Sequence, residues 1–318
     1  MSDRVDVVYF GSGAFGLPTL RALAERHTVR AVVTQPDRPA GRGKRLTPNP
    51  IAAFAAEHLP GTDLIKPANV NDPEMTARVC AHPADAWVVI AFGQKLGQPL
   101  LADRFAINLH ASLLPRWRGA APINHAILAG DAVTGNSVIT LAERMDAGFV
   151  LGRSERAIRA DETAGELHDE LSEDGPALVL SVLERHAAGT LEFVEQDESL
   201  VTLAGKLSRA DAVLDFTRPA DACRARVNGL SPWPGVAVGI GGQRAKLVRA
   251  RSQPGPTDSK QPGVLFDAAR GLVACGEGSL EIVEIHPAGK RPMDWASFAR
   301  GGNVRDGDRV ASPPSEGS

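Results

Sequence analysis

Short β-rich runs alternate with helix-patterned runs over the first third of the chain, and this alternation most constrains the fold. The apolar, β-branched runs are VDVVYFG (5–11), VRAVVTQ (29–35), AWVVIAFG (86–93) and FAINLHA (105–111), with a weaker one at DLIK (63–66). Helical spacing of apolar residues falls between them, at 18–26, 51–59 and 73–82. This order predicts a parallel sheet covered by helices on both faces. Ligands bind such sheets at the carboxyl ends of the strands.

The second half of the chain has a different pattern. A helical pattern runs from about Thr163 to Ala188, and a polar, weakly patterned stretch follows it. Beyond that stretch, 235–250 predicts two strands around a Gly-Gly turn, and 263–285 predicts three more short strands. We therefore predict an α/β domain, a linker, a small β-barrel and a disordered tail, at 1–189, 190–208, 209–305 and 306–318.

Composition limits the classes of protein to consider. The chain has 318 residues, 43% of them hydrophobic, which suffices for a large core, and no apolar run is long enough to span a membrane. The first residues enter a strand without a secretory signal pattern. The three cysteines are far apart and show no CxxC spacing. We expect a cytoplasmic protein with neither a disulfide framework nor a metal site.

Charge is unevenly distributed along the chain. The net charge is −3, but the part from Lys206 onward carries 16 Lys+Arg against 12 Asp+Glu, a net +4. The part before Lys206 therefore carries a net −7. A basic second part predicts contact with an anionic partner, although an excess of four charges is also ordinary scatter.

The motif GSGAFG (11–16) follows the first predicted strand and fits GxGxxG. That pattern is typical of dinucleotide-binding turns, in which a helix N-terminus meets a pyrophosphate. The acidic residue expected near the end of the second strand is missing, because Thr34, Gln35 and Pro36 stand there. A tight strand-to-helix turn explains the glycines at least as well.

The stretch AINLHASLLPRWRGAAPIN (106–124) carries the strongest chemical signal. Asn108 and His110 lie two residues apart on a predicted strand, so their side chains share one face. An amide and an imidazole can both donate hydrogen bonds to an oxygen that gains negative charge, and histidine also transfers protons near neutral pH. Asp146, in RMDAG, would complete the set if the fold returns it beside His110, although Asp beside Gly is commonly only a turn.

No serine or cysteine with a matching base stands out as a nucleophile. Attack by the substrate's own amine or by water is the simpler hypothesis.

The segment QPDRPAGRGKRLTPNP (35–50) is long for a connection between a strand and a helix, and it is strongly basic. It fits either a phosphate-rich partner or a solvated loop. Trp117, between two arginines, could stack on a ligand or fix its loop to the core.

Taken together, these motifs resemble the methionyl-tRNA formyltransferase family. The resemblance covers nearly the whole chain, through QPDRPAGRGKRLTP, VVIAFGQKLG, INLHASLLPRWRGAAPI, MDAG, KLSRADAVLDFTRPA, LSPWPG and PAGKRPM. The NxHxSLLP run with a downstream Asp is shared by formyltetrahydrofolate-using enzymes in general. The proline-arginine segment and the KLS…WPG region narrow the resemblance to the tRNA enzymes.

The resemblance implies a Rossmann-like catalytic domain followed by an OB-fold-like domain. It implies transfer of a formyl group from 10-formyltetrahydrofolate, a co-substrate, to methionine on initiator tRNA, with no tightly bound cofactor. The family's catalytic trio falls on Asn108, His110 and Asp146. The implied folate-binding residues are Ile90, Ala91, Phe92, Gly93, Ser112, Leu113, Leu114 and Pro115. The implied tRNA-binding residues are Arg38, Arg42, Lys44, Arg45 and Lys206.

The remaining expectations concern partners. We expect a monomer without membrane contact, and we expect any Mg²⁺ requirement to belong to the tRNA. The sequence departs from the family pattern at three places: Ser12-Gly13-Ala14 in the first turn, Ala142 and Phe149. These departures leave the trio intact, but they bear on the first loop and on the pocket around Asp146.

Four alternatives stay open at this stage. A sibling formyltransferase acting on an amino sugar or glycinamide ribonucleotide would keep the trio but lack the basic segment and the barrel. A formyltetrahydrofolate hydrolase would use water as acceptor. An NAD-dependent dehydrogenase would need the missing ribose-binding acid. A non-catalytic tRNA-binding protein would have no need of the trio.

Overall fold

The computed structural model describes residues 4–40, 43, 45–254, 261–301 and 304–312. Contacts within the chain group it into two compact units. The first unit holds residues 1–118, 135–155 and 168–202, and the second holds 119–134, 156–167 and 203–318. The two units therefore interleave along the chain, and the domain boundaries given above stay predictions.

The main sheet of the first unit has seven strands in the order β10-β9-β7-β6-β1-β2-β5. Neighbouring strands from β5 to β7 pair in parallel, whereas β9 pairs antiparallel with β7. The parallel sheet predicted from the alternating pattern is thus confirmed, with an antiparallel addition at one edge. In chain order the strands up to residue 157 are β1 (Asp6–Gly11), β2 (Thr28–Val33), β3 (Arg38–Ala40), β4 (Arg45–Thr47), β5 (Asp63–Ile65), β6 (Ala86–Ile90), β7 (Ala106–His110), β8 (Arg118–Gly119), β9 (Val133–Thr140) and β10 (Val150–Ala157).

The central strands are apolar because both faces of the sheet are covered. Every residue of β6 is buried, and Tyr9 and Phe10 of β1 are fully buried. Proline stands in the first turn of α1 to α5, where its missing N–H costs no hydrogen bond. The helices are α1 (Leu17–Arg26), α2 (Pro50–His58), α3 (Pro73–Cys80), α4 (Gln98–Leu101), α5 (Pro122–Ala129), α6 (Ala164–Ala187), α7 (Ala220–Gly229) and α8 (Trp295–Gly301).

The second unit contains a curled antiparallel sheet, a half-barrel, in the order β12-β13-β16-β15-β14 with β17 beside β16. Gly241 and Gly242 both have positive φ, which the tight turn between β12 and β13 requires. Helices α7 and α8 contribute to the core of this unit through Cys223, Val227, Trp295 and Phe298. The strands are β11 (Leu203–Ala204), β12 (Val236–Ile240), β13 (Gln243–Gln253), β14 (Leu265–Asp267), β15 (Leu272–Ala274), β16 (Ser279–Pro287) and β17 (Met293–Asp294).

Two expectations differ from the structure. The segment 35–50 is not a loop throughout, because β3 and β4 pair as an antiparallel hairpin between Arg38 and Thr47. The tail expected from residue 306 is ordered up to residue 312, since Val310 is buried in the half-barrel core and Ala311 bridges to Gly239. This segment is too short to show a pattern of apolar residues that would predict its burial or its backbone pairing. Among the described residues, no helix has the length and apolar character needed to cross a membrane.

Candidate active site

The carboxyl ends of β6 and β7 lie side by side in the sheet of the first unit. Their parallel pairing places Val89 opposite Asn108, so the residues after β6 come close to the end of β7. Strand alternation puts Asn108 and His110 on one face, as the sequence predicted. The Asn108 side chain is half-buried, and His110 is only 7% exposed. The polar pair thus occupies a sheltered position at the ligand-binding edge of the sheet.

The structure brings Asp146 to His110. The His110 Nδ1 atom lies 3.7 Å from Asp146 Oδ2, and both side chains are largely buried, at 7% and 13% exposure. This separation is longer than a hydrogen bond. On the other side of the ring, Nε2 lies 2.9 Å from the Trp117 carbonyl oxygen. Because a carbonyl only accepts, Nε2 carries a hydrogen, and Nδ1 is the nitrogen that faces the carboxylate.

The loop that carries Asp146, residues 141–149, leaves β9 and returns to β10, and we call it the Asp146 loop. Asp146 itself has φ of 53°, a left-handed conformation that a residue with a side chain adopts only when its surroundings enforce it. A Cβ atom at Gly148 would clash with the Thr140 carbonyl, so glycine is required there. The backbone N–H of Phe149 donates to Thr140 Oγ1 at 2.9 Å. The loop is therefore tightly held against the end of β9.

The eight predicted folate-binding residues fall into two groups by exposure. Ile90, Phe92, Ser112 and Leu114 are buried, and Phe92 packs edge-on against Phe10 in the core. Ala91 and Gly93 are exposed, and Leu113 and Pro115 are half-buried. The four buried residues can shape the site through their packing, but they offer almost no surface to a ligand in this conformation.

Hydrogen bonds hold the 112–116 turn next to His110. Ser112 Oγ donates to the Arg116 carbonyl at 2.6 Å, and Ser137 Oγ donates to the Ser112 carbonyl at 2.7 Å. The Leu114 N–H donates to Ser137 Oγ at 3.1 Å, and Arg153 Nη2 donates to the Leu114 carbonyl at 2.7 Å. Pro115 therefore works together with two buried serines and Arg153 to fix the turn.

The basic residues of the predicted tRNA contact are only partly described. Arg38 and Arg45 are exposed on the hairpin formed by β3 and β4. Arg42 and Lys44, also expected to contact tRNA, lie outside the described residues. Lys206 is exposed in the second unit.

The glycine-rich first turn is explained by packing. The Tyr9 hydroxyl donates to the Gly16 carbonyl at 2.9 Å, and a Cβ at Gly16 would clash with that hydroxyl. Ser12 Oγ accepts from the Gln35 N–H at 3.0 Å, and Gln35 Nε2 donates to the Phe92 carbonyl at 3.0 Å. Ser12, one of the departures from the family pattern, thus links the first turn to the base of the hairpin and to the end of β6.

Sequence reasoning missed several residues around the trio. Gln196, Glu198 and Thr202 lie in the stretch predicted as a linker, and they contact Arg118, Trp117 and the Asp146 loop. No periodic pattern or motif marks them, so only the tertiary structure reveals them. In the described part of the chain, no group of three or more His, Cys, Asp or Glu side chains could hold a metal ion.

Comparisons with known proteins identify the family of the chain. The formyl transferase family model matches residues 3–183, and the formyl transferase C-terminal domain model matches 206–303. The methionyl-tRNA formyltransferase of Symbiobacterium thermophilum is 41% identical over 96% of this chain and 95% of its own. That of Methylococcus capsulatus is 42% identical over 92% of this chain and 95% of its own. The fold and site thus define a formyl transferase.

The chain belongs to the methionyl-tRNA formyltransferase family. Solved structures with similar folds are more distant in sequence. HypX from Aquifex aeolicus in complex with tetrahydrofolic acid matches with a TM-score of 0.64 and 16% identity, over 93% of this chain and 47% of that one. WlaRD, a sugar 3N-formyl transferase, matches with a TM-score of 0.66 and 10% identity, over 91% and 99%. These two support the fold alone.

Proposed function

We propose that this chain transfers the formyl group of 10-formyltetrahydrofolate to the α-amine of methionine on initiator tRNA. The observation that carries the proposal is the approach of Asp146, in its loop, to within 3.7 Å of His110, which shares β7 with Asn108. The acceptor, methionyl-tRNA, is inferred from the names of the relatives. The proposal includes a monomeric, cytoplasmic enzyme, with any Mg²⁺ requirement belonging to the tRNA.

The chemistry assigned to the trio is acyl transfer without a covalent enzyme intermediate. The methionine amine attacks the formyl carbon, and the carbonyl oxygen gains negative charge. The Asn108 amide donates a hydrogen bond to that oxygen, and His110 Nδ1 stabilises the same charge as it takes up the proton that the amine releases. Donors of this kind contribute about 10²- to 10³-fold each to acyl transfer.

Proton movement completes the reaction. The attacking amine loses a proton, which passes through the Asp146 carboxylate and His110 Nδ1 to the departing N10 nitrogen of the folate. The new C–N bond to methionine forms and the C–N10 bond breaks, so the products are formylmethionyl-tRNA and tetrahydrofolate. The Trp117 carbonyl supports this route because it occupies Nε2 and leaves Nδ1 as the exchanging nitrogen.

The two substrates are assigned to different groups of residues. The folate would lie against Ala91, Gly93, Leu113 and Pro115, which have exposed or half-buried surface, while the four buried residues shape its site through their packing. The tRNA backbone would be bound by Arg38, Arg42, Lys44 and Arg45, and by Lys206 of the second unit.

Formyl transfer to three acceptors tests the proposal. The acceptors are charged initiator Met-tRNA, charged elongator Met-tRNA and water, each offered with 10-formyltetrahydrofolate. We expect strong transfer to the initiator tRNA only. Formate release without any tRNA preference would contradict the assigned acceptor and indicate a hydrolase or another amine acceptor.

A further inference from the structure

The segment Gln196–Thr202 lies in the stretch predicted as a linker. It nevertheless contacts two parts of the candidate active site, the Asp146 loop and Trp117. Gln196 Nε2 donates to the Asp146 carbonyl at 2.8 Å and to the Gly148 carbonyl at 2.7 Å. A side-chain amide has two N–H donors, so one hydrogen serves each carbonyl. Gln196 therefore holds the Asp146 loop on both sides of Ala147.

The orientation of the Gln196 amide is fixed by a buried arginine. Gln196 Oε1 accepts from Arg118 Nε at 3.0 Å and from Arg118 Nη2 at 2.9 Å. Arg118 is only 3% exposed, and its guanidinium can only donate. The amide oxygen must face Arg118, which leaves the N–H₂ group facing the loop. Glu198 Oε1 accepts from Arg118 Nη2 at 2.8 Å and balances the buried charge.

The same arginine connects the segment to the other catalytic side chain. Arg118 directly follows Trp117, whose carbonyl accepts from His110 Nε2. The Trp117 N–H donates to Thr202 Oγ1 at 2.9 Å, and the Arg118 N–H donates to the Thr202 carbonyl at 2.9 Å. Residues 196–202 are therefore connected to both members of the His110–Asp146 pair. Gln196 bonds the Asp146 backbone directly, and Thr202 bonds Trp117, which in turn bonds His110.

We propose that Gln196 is a positioning residue that sets the separation of His110 and Asp146. The proposal rests on the function proposed above, because it assigns Gln196 a part in the same proton transfer. Asp146 adopts a left-handed conformation, which aspartate tolerates better than most residues with a side chain but which is still a sparsely populated state. Gln196 helps to hold it through two hydrogen bonds to the loop backbone. Without them the carboxylate relaxes away from Nδ1.

Two substitutions at Gln196 test this role. Gln196→Glu keeps an acceptor for Arg118 but replaces both donors with a charge that repels the loop carbonyls. Gln196→Asn keeps donors and acceptor on a side chain that is one methylene shorter. Misplacing a reacting group by about 1 Å costs roughly 10²-fold in rate. We expect Gln196→Glu to lower kcat by roughly 10²-fold with nearly unchanged KM for tRNA and folate, and Gln196→Asn to recover part of the loss.

Gln94→Glu is the matched control. Gln94 is also half-buried, and its Nε2 also donates to two backbone carbonyls, those of Pro67 and Ala68, in another loop of the same unit. Both Glu variants lose the same kind of hydrogen bond, so we expect similar losses of Tm. The acidic limb of the kcat–pH profile should move in Gln196→Glu and stay in place in Gln94→Glu, because only the former alters the His110–Asp146 pair.

The outcomes separate this inference from the proposed function. Wild-type protein that fails to formylate initiator Met-tRNA would refute the function. Active wild type with Gln196→Glu retaining wild-type kcat and pH profile would refute the positioning role alone. Equal losses of kcat in Gln196→Glu and Gln94→Glu would also refute it. If Gln196→Glu does not fold, Gln196→Asn decides by the same two readouts: a lowered kcat with a moved acidic limb supports the role, and wild-type values overturn it.

Discussion

The Asp146 loop joins β9 to β10, and the hairpin of β3 and β4 lies between β2 and α2. Both are polar connections of the first unit, but their hydrogen bonds fall at different places. The Asp146 loop is bonded along its length, by Gln196 on the carbonyls of Asp146 and Gly148 and by Thr140 on Phe149. The hairpin is bonded at its base, where Asn49 accepts from Thr34 Oγ1 and donates to the Gln35 carbonyl. Among its described side chains, those of Arg38, Arg45 and Leu46 are exposed, with Leu46 at 66%.

This difference matches the tasks proposed for the two elements. Proton transfer needs a fixed distance between two side chains, and the part of the loop from Asp146 to Phe149 is held by hydrogen bonds on both sides of Ala147. Recognition of a phosphate backbone needs exposed positive charge, and exact side-chain position matters less. The hairpin therefore keeps a rigid base and exposed arginines.

The largest effect should come from His110, the side chain on β7 that the Asp146 loop faces. His110→Ala should lower kcat by about 10²- to 10⁴-fold, the usual contribution of a general acid or base, because the proton route between Asp146 and the folate is lost. Steady-state formyl transfer at saturating substrates measures kcat, and a filter-binding titration measures the tRNA Kd. We expect the tRNA Kd to stay near the wild-type value.

His58→Ala is a suitable control, since His58 is exposed on α2 and stacks on Phe54 within that helix. It should keep wild-type turnover. Unchanged turnover in His110→Ala would show that His110 is not catalytic. The different tasks proposed for the Asp146 loop and the hairpin would then have no support.

The hairpin should give a smaller effect of a different kind. Removing a phosphate-contacting cation weakens binding and lowers the slope of log(kcat/KM) against log[salt] by about 1. We expect this from Arg42→Ala and from Arg45→Ala, together with weaker discrimination between initiator and elongator tRNA. Leu46→Ala, on the same hairpin, should leave the salt slope unchanged. If the folate Kd changed instead, the assignment of the hairpin to tRNA would be wrong.

The regular elements of the fold could be predicted from the sequence. The apolar β-branched runs correspond to β1, β2, β6 and β7 within a few residues, and the Gly-Gly turn lies between β12 and β13 as expected. Periodicity carries this information because burial on both faces requires continuous apolar runs. The hairpin in 35–50 was not predicted, since its strands are three residues long and exposed.

The site could be predicted in part. The two-residue spacing of Asn108 and His110 fixes their common face, and the resemblance to known formyltransferases supplied Asp146. The approach of Asp146 to His110 depends on tertiary contacts that no local pattern encodes. Gln196 lies 50 residues from Asp146 in the chain, and its polar neighbourhood gave the expectation of a linker. Long-range hydrogen bonds of single side chains leave no periodic signal.

The smallest effect should come from the outer edge of the network behind the Asp146 loop. Glu198 accepts from Arg118 and from Arg144, both at 2.8 Å, but it does not contact the loop carbonyls that Gln196 holds. The hydrogen bond from Arg118, followed by that from Arg144, holds the pKa of the Glu198 carboxyl below its ordinary value. A carboxyl with a lowered folded-state pKa stabilises the protein above its unfolded pKa, and the stabilisation disappears as pH falls through the folded pKa.

Glu198→Gln should therefore lower kcat at neutral pH less than Gln196→Glu does, because Arg118 keeps its two bonds to Gln196. In urea unfolding, wild type should be slightly more stable than Glu198→Gln at pH 7, and the difference should vanish once the pH is well below the ordinary glutamate pKa of about 4.3. Glu192→Gln, which makes the same change at an exposed neighbour in sequence, is the control for loss of a surface carboxyl. A loss of kcat equal to that of Gln196→Glu would mean that the arginine, rather than the amide on the loop, sets the position of Asp146.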